Sequence, residues 1–513
     1  MNYCNFISVI NLWMKVCLSP VRLFSHKKQR NLTEMERKRI VVAPGDGIGP
    51  EIMTSVLDIL KAADVPLDYE MLEVGESVYL KGITSGIPPE AWDLIRKHGT
   101  LLKGPITTPQ GKGFKSVNVT IRKTLNLFAN IRPTKAYSPF VASAHPGINL
   151  VIIRENEEDL YAGIEHKQTN EVTQVLKLIT RPGCENIIRY AFEYARAYGR
   201  NKVTCMTKDN IMKLTDGLFH QVFDEVAAEY PDIQNDHLII DIGAARLAAQ
   251  PERFDVIVTL NLYGDILSDI AAQIAGSIGF ASSANIGHHA AMFEAVHGSA
   301  PDIAGKDTAN PSGLLIAATQ MLVHLGLGSY GETIKNAWLC TLEDGIHTSD
   351  IYREGLSSVE VGTRRFTEAV IERLGKKPRV LHSVQYNDRL IKIPAVSKPS
   401  AEKSLAGIDI FVHWDEADRN AEVLAEKLNG ALTEGFKLSL ITNRGVKVYP
   451  DGIPETFCSD HWRCRFRAVS GTTNYAEALR LMNSLSSAGV DIIKTENLYN
   501  FDGQPGFSMG QGE

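Results

Sequence analysis

Asn261-Leu262-Tyr263-Gly264-Asp265-Ile266-Leu267-Ser268-Asp269 comes just after an apolar run, Val256-Ile257-Val258, that reads as a buried strand. A strand passing within a few residues into a helix is the repeating unit of an α/β fold. If the helix begins near Tyr263 or Gly264, Asp265 and Asp269 share one face, because residues four apart are neighbours on a helix. Two carboxylates so placed repel unless a cation lies between them, and hard oxygen donors suit Mg²⁺ or Mn²⁺. An isolated Asp-x-x-x-Asp is most often an ordinary acidic helix start. The metal reading therefore depends on what surrounds it.

Outward from this stretch, apolar runs alternate with amphipathic segments. Strands are predicted at Ile40–Val42, Leu101–Leu102, Leu150–Ile153, Lys202–Cys205, Leu238–Ile240 and Asp255–Thr259. Helices are predicted at Pro50–Ala62, Glu185–Ala197, Leu214–Glu229, Ile266–Ile274, Pro311–Leu325 and Arg364–Leu374. That alternation implies an α/β class with a largely parallel sheet. Prolines 378, 394 and 399 among polar residues mark a linker over 386–405. Beyond it, over 406–513, strands and two helices (Ala417–Leu428, Tyr475–Ser487) follow the order of a small ferredoxin-like α+β unit.

At 513 residues the chain exceeds one ordinary core and is expected to form two or three domains. A net charge of −6, spread over interspersed acids and bases, gives no reason to expect nucleic acid or a membrane as partner. Seven scattered cysteines form no disulfide framework and point to a reducing compartment, and no Cys/His spacing suggests zinc. Residues 1–36 stand apart as an N-terminal extension. An organellar transit peptide fits their composition, and an upstream start with Met35 opening the protein is the plainer reading. The corresponding locations are the mitochondrial matrix and the cytoplasm.

Further clusters carry chemistry. Gly45-Asp46-Gly47-Ile48-Gly49-Pro50-Glu51 is a glycine-rich strand-to-helix turn, a weak signal of phosphate binding because Pro50 and Glu51 intrude. Lys103, Ser116, Asn118 and the arginines Arg122, Arg132 and Arg154 suit a small substrate with several carboxylates, since guanidinium forks match carboxylates bidentately. Tyr161 follows an acidic run, and Lys208 follows a strand, where ligands of open α/β sheets bind. The Glu294–Gly305 stretch holds His297, Gly298, Ser299, Ala300, Pro301, Asp302 and Ile303, a loop able to lie against an adenosine, with Asn310 beyond.

NLYGDILSD and EAVHGSAPDIAGKD together resemble the metal-dependent β-decarboxylating dehydrogenase family, over about Arg39 to Pro378. The resemblance implies a two-subdomain catalytic unit over 37–385, with a large subdomain of about 37–127 and 276–385 and a small one of about 128–275. Ser116-x-Asn118-x-x-x-Arg122 resembles the isocitrate-specific members, and the C-terminal unit resembles that of a longer bacterial subgroup. By this resemblance, Lys103, Ser116, Asn118, Arg122, Arg132 and Arg154 bind isocitrate. Asp265, Asp269 and a partner-supplied Asp241 hold Mg²⁺ or Mn²⁺, and Tyr161 and a partner-supplied Lys208 transfer protons. Thr107, the 297–303 loop and Asn310 contact the nucleotide. Asp302 and Ile303 stand where NADP-using members commonly have Lys-Tyr, so NAD is the expected coenzyme over NADP. A homodimer with shared active sites is expected. Homoisocitrate or another 2-hydroxy acid is the alternative substrate, and a non-catalytic regulatory subunit the alternative of a different class.

Overall fold

The computed structural model describes residues 37–108, 116–386, 391, 393 and 400–510. The N-terminal extension and much of the expected linker lie outside the described residues. Twelve strands build the first part of the chain: β1 (Lys38–Ala43), β2 (Leu67–Met71), β3 (Thr100–Lys103), β4 (Ala129–Lys135), β5 (Asn149–Glu155), β6 (Glu165–Lys167), β7 (Thr173–Val175), β8 (Lys202–Thr207), β9 (Gln234–Ile239), β10 (Val256–Thr259), β11 (Ser282–Ile286) and β12 (Ala291–Ala295). Ten of them form one sheet in the order β2-β1-β3-β12-β11-β4-β5-β10-β8-β9.

Both wings of this sheet are parallel, and β12, β11, β4 and β5 pair antiparallel through its middle. The largely parallel expectation holds, with that central exception. Its strands read as unbroken apolar runs because both faces are covered. In β1, Ile40 and Val42 enter one core while Val41 and Ala43 enter another. In β10, Val256 and Val258 face the first core and Ile257 a third. Side chains alternate across a strand, so each apolar run feeds two layers of helices.

Three antiparallel pairings lie between the wings, so β2-β1-β3-β12 and β5-β10-β8-β9 run in opposite directions and meet at the central strands. Lys103 pairs with Glu294 across β3 and β12, and Arg154 with Thr259 across β5 and β10. Asn130 of β4 lies between Asn285 and Arg154. Polar residues thus cross the middle of the sheet where the two wings join.

After a small ribbon, β13 (Ile346–His347) and β14 (Val359–Glu360), the second sheet begins with β15 (Lys403–His413), inside the expected linker. It continues with β16 (Phe436–Asn443), β17 (Val446–Tyr449), β18 (His461–Ala468), β19 (Asp491–Phe501) and β20 (Gln504–Pro505). The order β17-β16-β18-β15-β19-β20 is antiparallel throughout and contains the ferredoxin-like arrangement β16-β18-β15-β19. Helices Ala421–Gly430 and Tyr475–Ser487 cover its apolar face, where Trp462, Phe466 and Ile410 have no accessible surface. The first of these starts four residues later than expected, because Ala417, Asp418 and Arg419 adopt positive φ. The β6–β7 hairpin meets this unit through polar contacts: Arg419 grips the Glu171 carboxylate, Thr169 bonds Asp460, and Lys494 donates to Gln174.

Candidate active site

Helix Asn261–Ala275 begins ahead of the predicted Ile266 and just before Tyr263, and places Asp265 in its second turn. Arg132 of β4 and Arg154 of β5 converge on this carboxylate. Arg132 Nη1 lies 3.2 Å from Oδ1, and Arg154 Nη1 bonds the same oxygen. Tyr161, in the single turn Leu160–Ala162, donates its hydroxyl to Oδ2 at 2.6 Å and takes Arg154 against its ring. Burial pushes the Asp265 carboxyl up, but Arg154, Arg132 and the Tyr161 hydroxyl outweigh it and hold Asp265 below the ordinary range. Asp269 moves the other way: desolvation raises it, Arg132 opposes, and the Asp265 charge adds to the rise.

Arg154 reaches Asp265 by crossing the helix at Gly264. A Cβ at that glycine would lie 2.5 Å from Arg154 Cγ and 2.7 Å from its Cβ. The rest of the guanidinium is fixed by Asn261, whose Oδ1 accepts from Nε at 3.1 Å and Nη2 at 2.8 Å. Arg132 donates Nε to Asn130 Oδ1 at 3.0 Å and also bonds Ser268.

A second cluster centres on Glu294 of β12. Its carboxylate takes Lys103 Nζ and Arg122 Nη2, each at 2.8 Å, and Asn285 Nδ2 at 2.9 Å. Burial raises the Glu294 carboxyl, but the charges of Lys103 and Arg122 carry it far below the carboxylate range. Arg122 Nε, Asn118 Oδ1 and His297 Nε2 are buried without a hydrogen-bond partner. All three residues line a cleft of about 360 Å³ that also touches Thr107, Glu294, Gly298 and Ser299. Orphaned buried polar atoms facing a cleft mark a place for a ligand. Ser116 ends the preceding loop at the cap of helix Val117–Thr124, without a side-chain capping bond.

Among the residues expected to meet the nucleotide, Thr107 Oγ1 meets Ser299 Oγ at 2.8 Å, and Asp46 accepts from the Thr107 amide at 2.9 Å. The Gly45–Glu51 turn is not an open phosphate cradle, because the amides of Asp46 and Ile48 donate to Pro105 and Ser299 carbonyls. Gly47, at φ +58°, allows this: a Cβ would sit 2.0 Å from the Ser299 oxygen. Asn310 donates to Asp350 at 3.0 Å. Pro301 and Asp302 are exposed, while Ala300 and Ile303 pack against the main core.

Lys208 and Asp241 form a unit of their own. Lys208 Nζ lies 2.9 Å from Asp241 Oδ1, and the Lys208 amide is held by Asp216 Oδ2 at 2.7 Å. Asp241 opens helix Ile240–Ala249, where a strand residue was expected to precede it. In the single chain its carboxylate does not gather within 4.8 Å of those of Asp265 and Asp269.

The sequence reading assigned no role to Glu294, Asn261, Ser268, Asn130, Asn285 or Asp216. One signal was present: a Glu in the otherwise apolar strand Ala291–Ala295 needs buried cations.

Isocitrate/isopropylmalate dehydrogenase, as a family model, matches residues 39–370. The chain belongs to that family. A second model, the bacterial isocitrate dehydrogenase C-terminal domain, matches 403–513. An isocitrate dehydrogenase [NADP] of Rickettsia bellii is 54% identical over 486 residues, covering 92% of this chain and 99% of the relative. One from Thermus thermophilus is 46% identical over 496 residues, 95% of this chain and 98% of its own. A crystal structure of a protein from Thermus thermophilus superposes with a TM-score of 0.87 at 44% identity, covering 93% of this chain and 96% of that one. These family members correct one expectation: relatives named for NADP overturn the preference for NAD. That preference rested on Asp302 and Ile303, and Asp302 is an exposed carboxylate whose charge solvent and salt screen.

Proposed function

We propose that this protein oxidises and decarboxylates isocitrate to 2-oxoglutarate and CO₂ with NADP⁺ as acceptor, in the bacterial cytoplasm, and that it works as a homodimer. The observation that carries the chemistry is the convergence of Arg132, Arg154 and Tyr161 on one aspartate, beside a cleft with orphaned polar atoms. The names of the relatives support substrate and coenzyme.

The acidic pair fits a hard divalent ion. Asp265 is strongly ionised, Asp269 is one helical turn away with its affinity for a proton raised, and both offer oxygen donors. Asp265 and Asp269, with Asp241 of a second copy, would hold Mg²⁺ or Mn²⁺. When bound, the ion polarises the C2 hydroxyl and its carboxylate, and NADP⁺ accepts the C2 hydride. Arg122, Arg132 and Arg154 hold the substrate carboxylates, and Ser116, Asn118 and Lys103 orient the remaining one. Thr107, the 297–303 loop and Asn310 border the coenzyme. Lys208, from the same second copy as Asp241, takes the hydroxyl proton, and Tyr161, whose phenol burial keeps protonated, returns one to carbon after CO₂ leaves.

Purified protein supplied with isocitrate, Mg²⁺ and each coenzyme should reduce NADP⁺ with matching release of 2-oxoglutarate. Asp265→Asn should lower turnover at least about a hundredfold. No NADP⁺ reduction by the wild type, or an active Asp265→Asn at saturating Mg²⁺, refutes the reading.

A further inference from the structure

Among the described residues, one group of His, Cys, Asp and Glu side chains brings three ligand atoms within 4.8 Å of one another: Asp209, His220 and His237. They arrive from three elements: the loop after β8, helix Thr215–Ala227, and β9. His220 Nδ1 is 2.7 Å from Asp209 Oδ2, and His237 Nε2 is 4.0 Å from Asp209 Oδ1. The two rings stack at 3.6 Å with 19° between their planes, so both present nitrogen to the same carboxylate. The outer nitrogen of His220 faces the Asp224 carboxylate at 3.8 Å. A carboxylate behind an imidazole is the arrangement that orients metal-binding histidines. His237 Nε2 also meets Thr207 Oγ1 at 2.9 Å.

We propose that Asp209, His220 and His237 form a binding site for a divalent ion of borderline softness, of the Zn²⁺, Ni²⁺ and Cu²⁺ class. Imidazole nitrogen selects these ions, whereas the Asp265 cluster offers only oxygen and suits Mg²⁺ or Mn²⁺. Rotation about a His χ2, a soft torsion, turns the stacked lone pairs to one point. Three protein ligands leave positions for water, as in exchangeable rather than closed structural sites. The bound ion ties the residue after Lys208 to β9. The absence of Cys/His spacing in the sequence is no obstacle, because the three ligands are contributed by separate elements.

The two metal sites differ in ligand atoms, which makes the test selective. The untagged full chain is saturated with Mg²⁺ and isocitrate, then titrated with Cu²⁺ and followed by electron paramagnetic resonance. One Cu²⁺ per chain with superhyperfine splitting from two nitrogens is expected. That signal should vanish in His220→Gln and His237→Gln and persist in Asp265→Asn. Zn²⁺ titrated calorimetrically under the same conditions should bind each histidine variant at least about tenfold more weakly. An oxygen-only Cu²⁺ spectrum in the wild type overturns the proposal, as does a nitrogen signal unchanged in both variants. Neither readout depends on dehydrogenase activity.

Discussion

Glu294→Gln tests the electrostatic design of the cleft most directly. Glu294 is 2% exposed and neutralises Lys103, at 0%, and Arg122, at 7%, through two contacts of 2.8 Å. Glutamine keeps the shape and one acceptor, but turns an N–H₂ toward a cation and leaves two buried positive charges without an anion. Removing one member of a buried pair costs about 3–5 kcal/mol, and two stranded cations favour the upper end. With an unfolding slope near 3 kcal/mol/M in urea, the midpoint should fall by roughly 1–1.7 M. Urea unfolding followed by circular dichroism, at fixed protein concentration, gives the number. Adding Lys103→Met removes one stranded charge and should recover part of the loss, with a coupling of about 0.5–3 kcal/mol. Because the folded pKa of Glu294 is depressed, its contribution is complete above the ordinary carboxylate range and is lost only as pH falls through the folded value. A loss below about 1 kcal/mol in the single variant would refute the argument, since such a value belongs to exposed pairs.

Gly264→Ala should push Arg154 off the helix it crosses, costing about 1–3 kcal/mol by overpacking and raising the KM for isocitrate; steady-state kinetics with wild-type KM would contradict this. Glu155, 3% exposed, is raised to about 8 chiefly by burial. The folded chain holds that proton between about pH 4.5 and 8 while the unfolded chain has lost it, so stability falls across the window by a few kcal/mol, of order 1.4 per unit. Glu155→Gln should abolish that slope, matching the wild type near pH 4.5 and exceeding it above pH 8 in denaturant midpoint. Lys335 lies buried over Trp338 at 3.8 Å, with burial pushing its pKa well down. The unfolded chain binds this proton more readily, so wild-type stability rises with pH toward the ordinary lysine range. Lys335→Met should raise the melting temperature more at neutral pH than near pH 10, and an unchanged or lower value at neutral pH would count against it.

Where residue type announces its own environment, the fold was legible. Ile40–Val42 and Val256–Val258 are apolar on both faces and read as buried strands, and helix Tyr475–Ser487 has the bounds expected of it, with Asn474 capping its start. The β11–β12 hairpin was not legible. Ser283 and Asn285 are buried there because they bond Asn130, Glu294 and backbone, a compensation visible only after folding. Helix Gly328–Glu343, with glycines in its first turn and no side-chain cap, hides likewise. At the candidate site, the motif stretches supplied residue identities, but not the pairing of Arg122 with Glu294, 172 positions away, nor that Asp241 pairs with Lys208. Coenzyme choice was misread because it was drawn from Asp302 and Ile303 alone, and the Asp302 charge is exposed to solvent.

The convergence of Arg132 and Arg154 on Asp265 has a thermodynamic corollary for the proposed reaction. Isocitrate arriving alone would draw both guanidiniums away and strand the aspartate, while a divalent ion arriving alone would neutralise the aspartate and strand the guanidiniums. Only when both enter does every charge exchange one counter-charge for another, a swap of partners rather than a loss. Each ligand should therefore tighten the other's hold, so the chelate of ion and hydroxy acid is the species this pocket is built to accept.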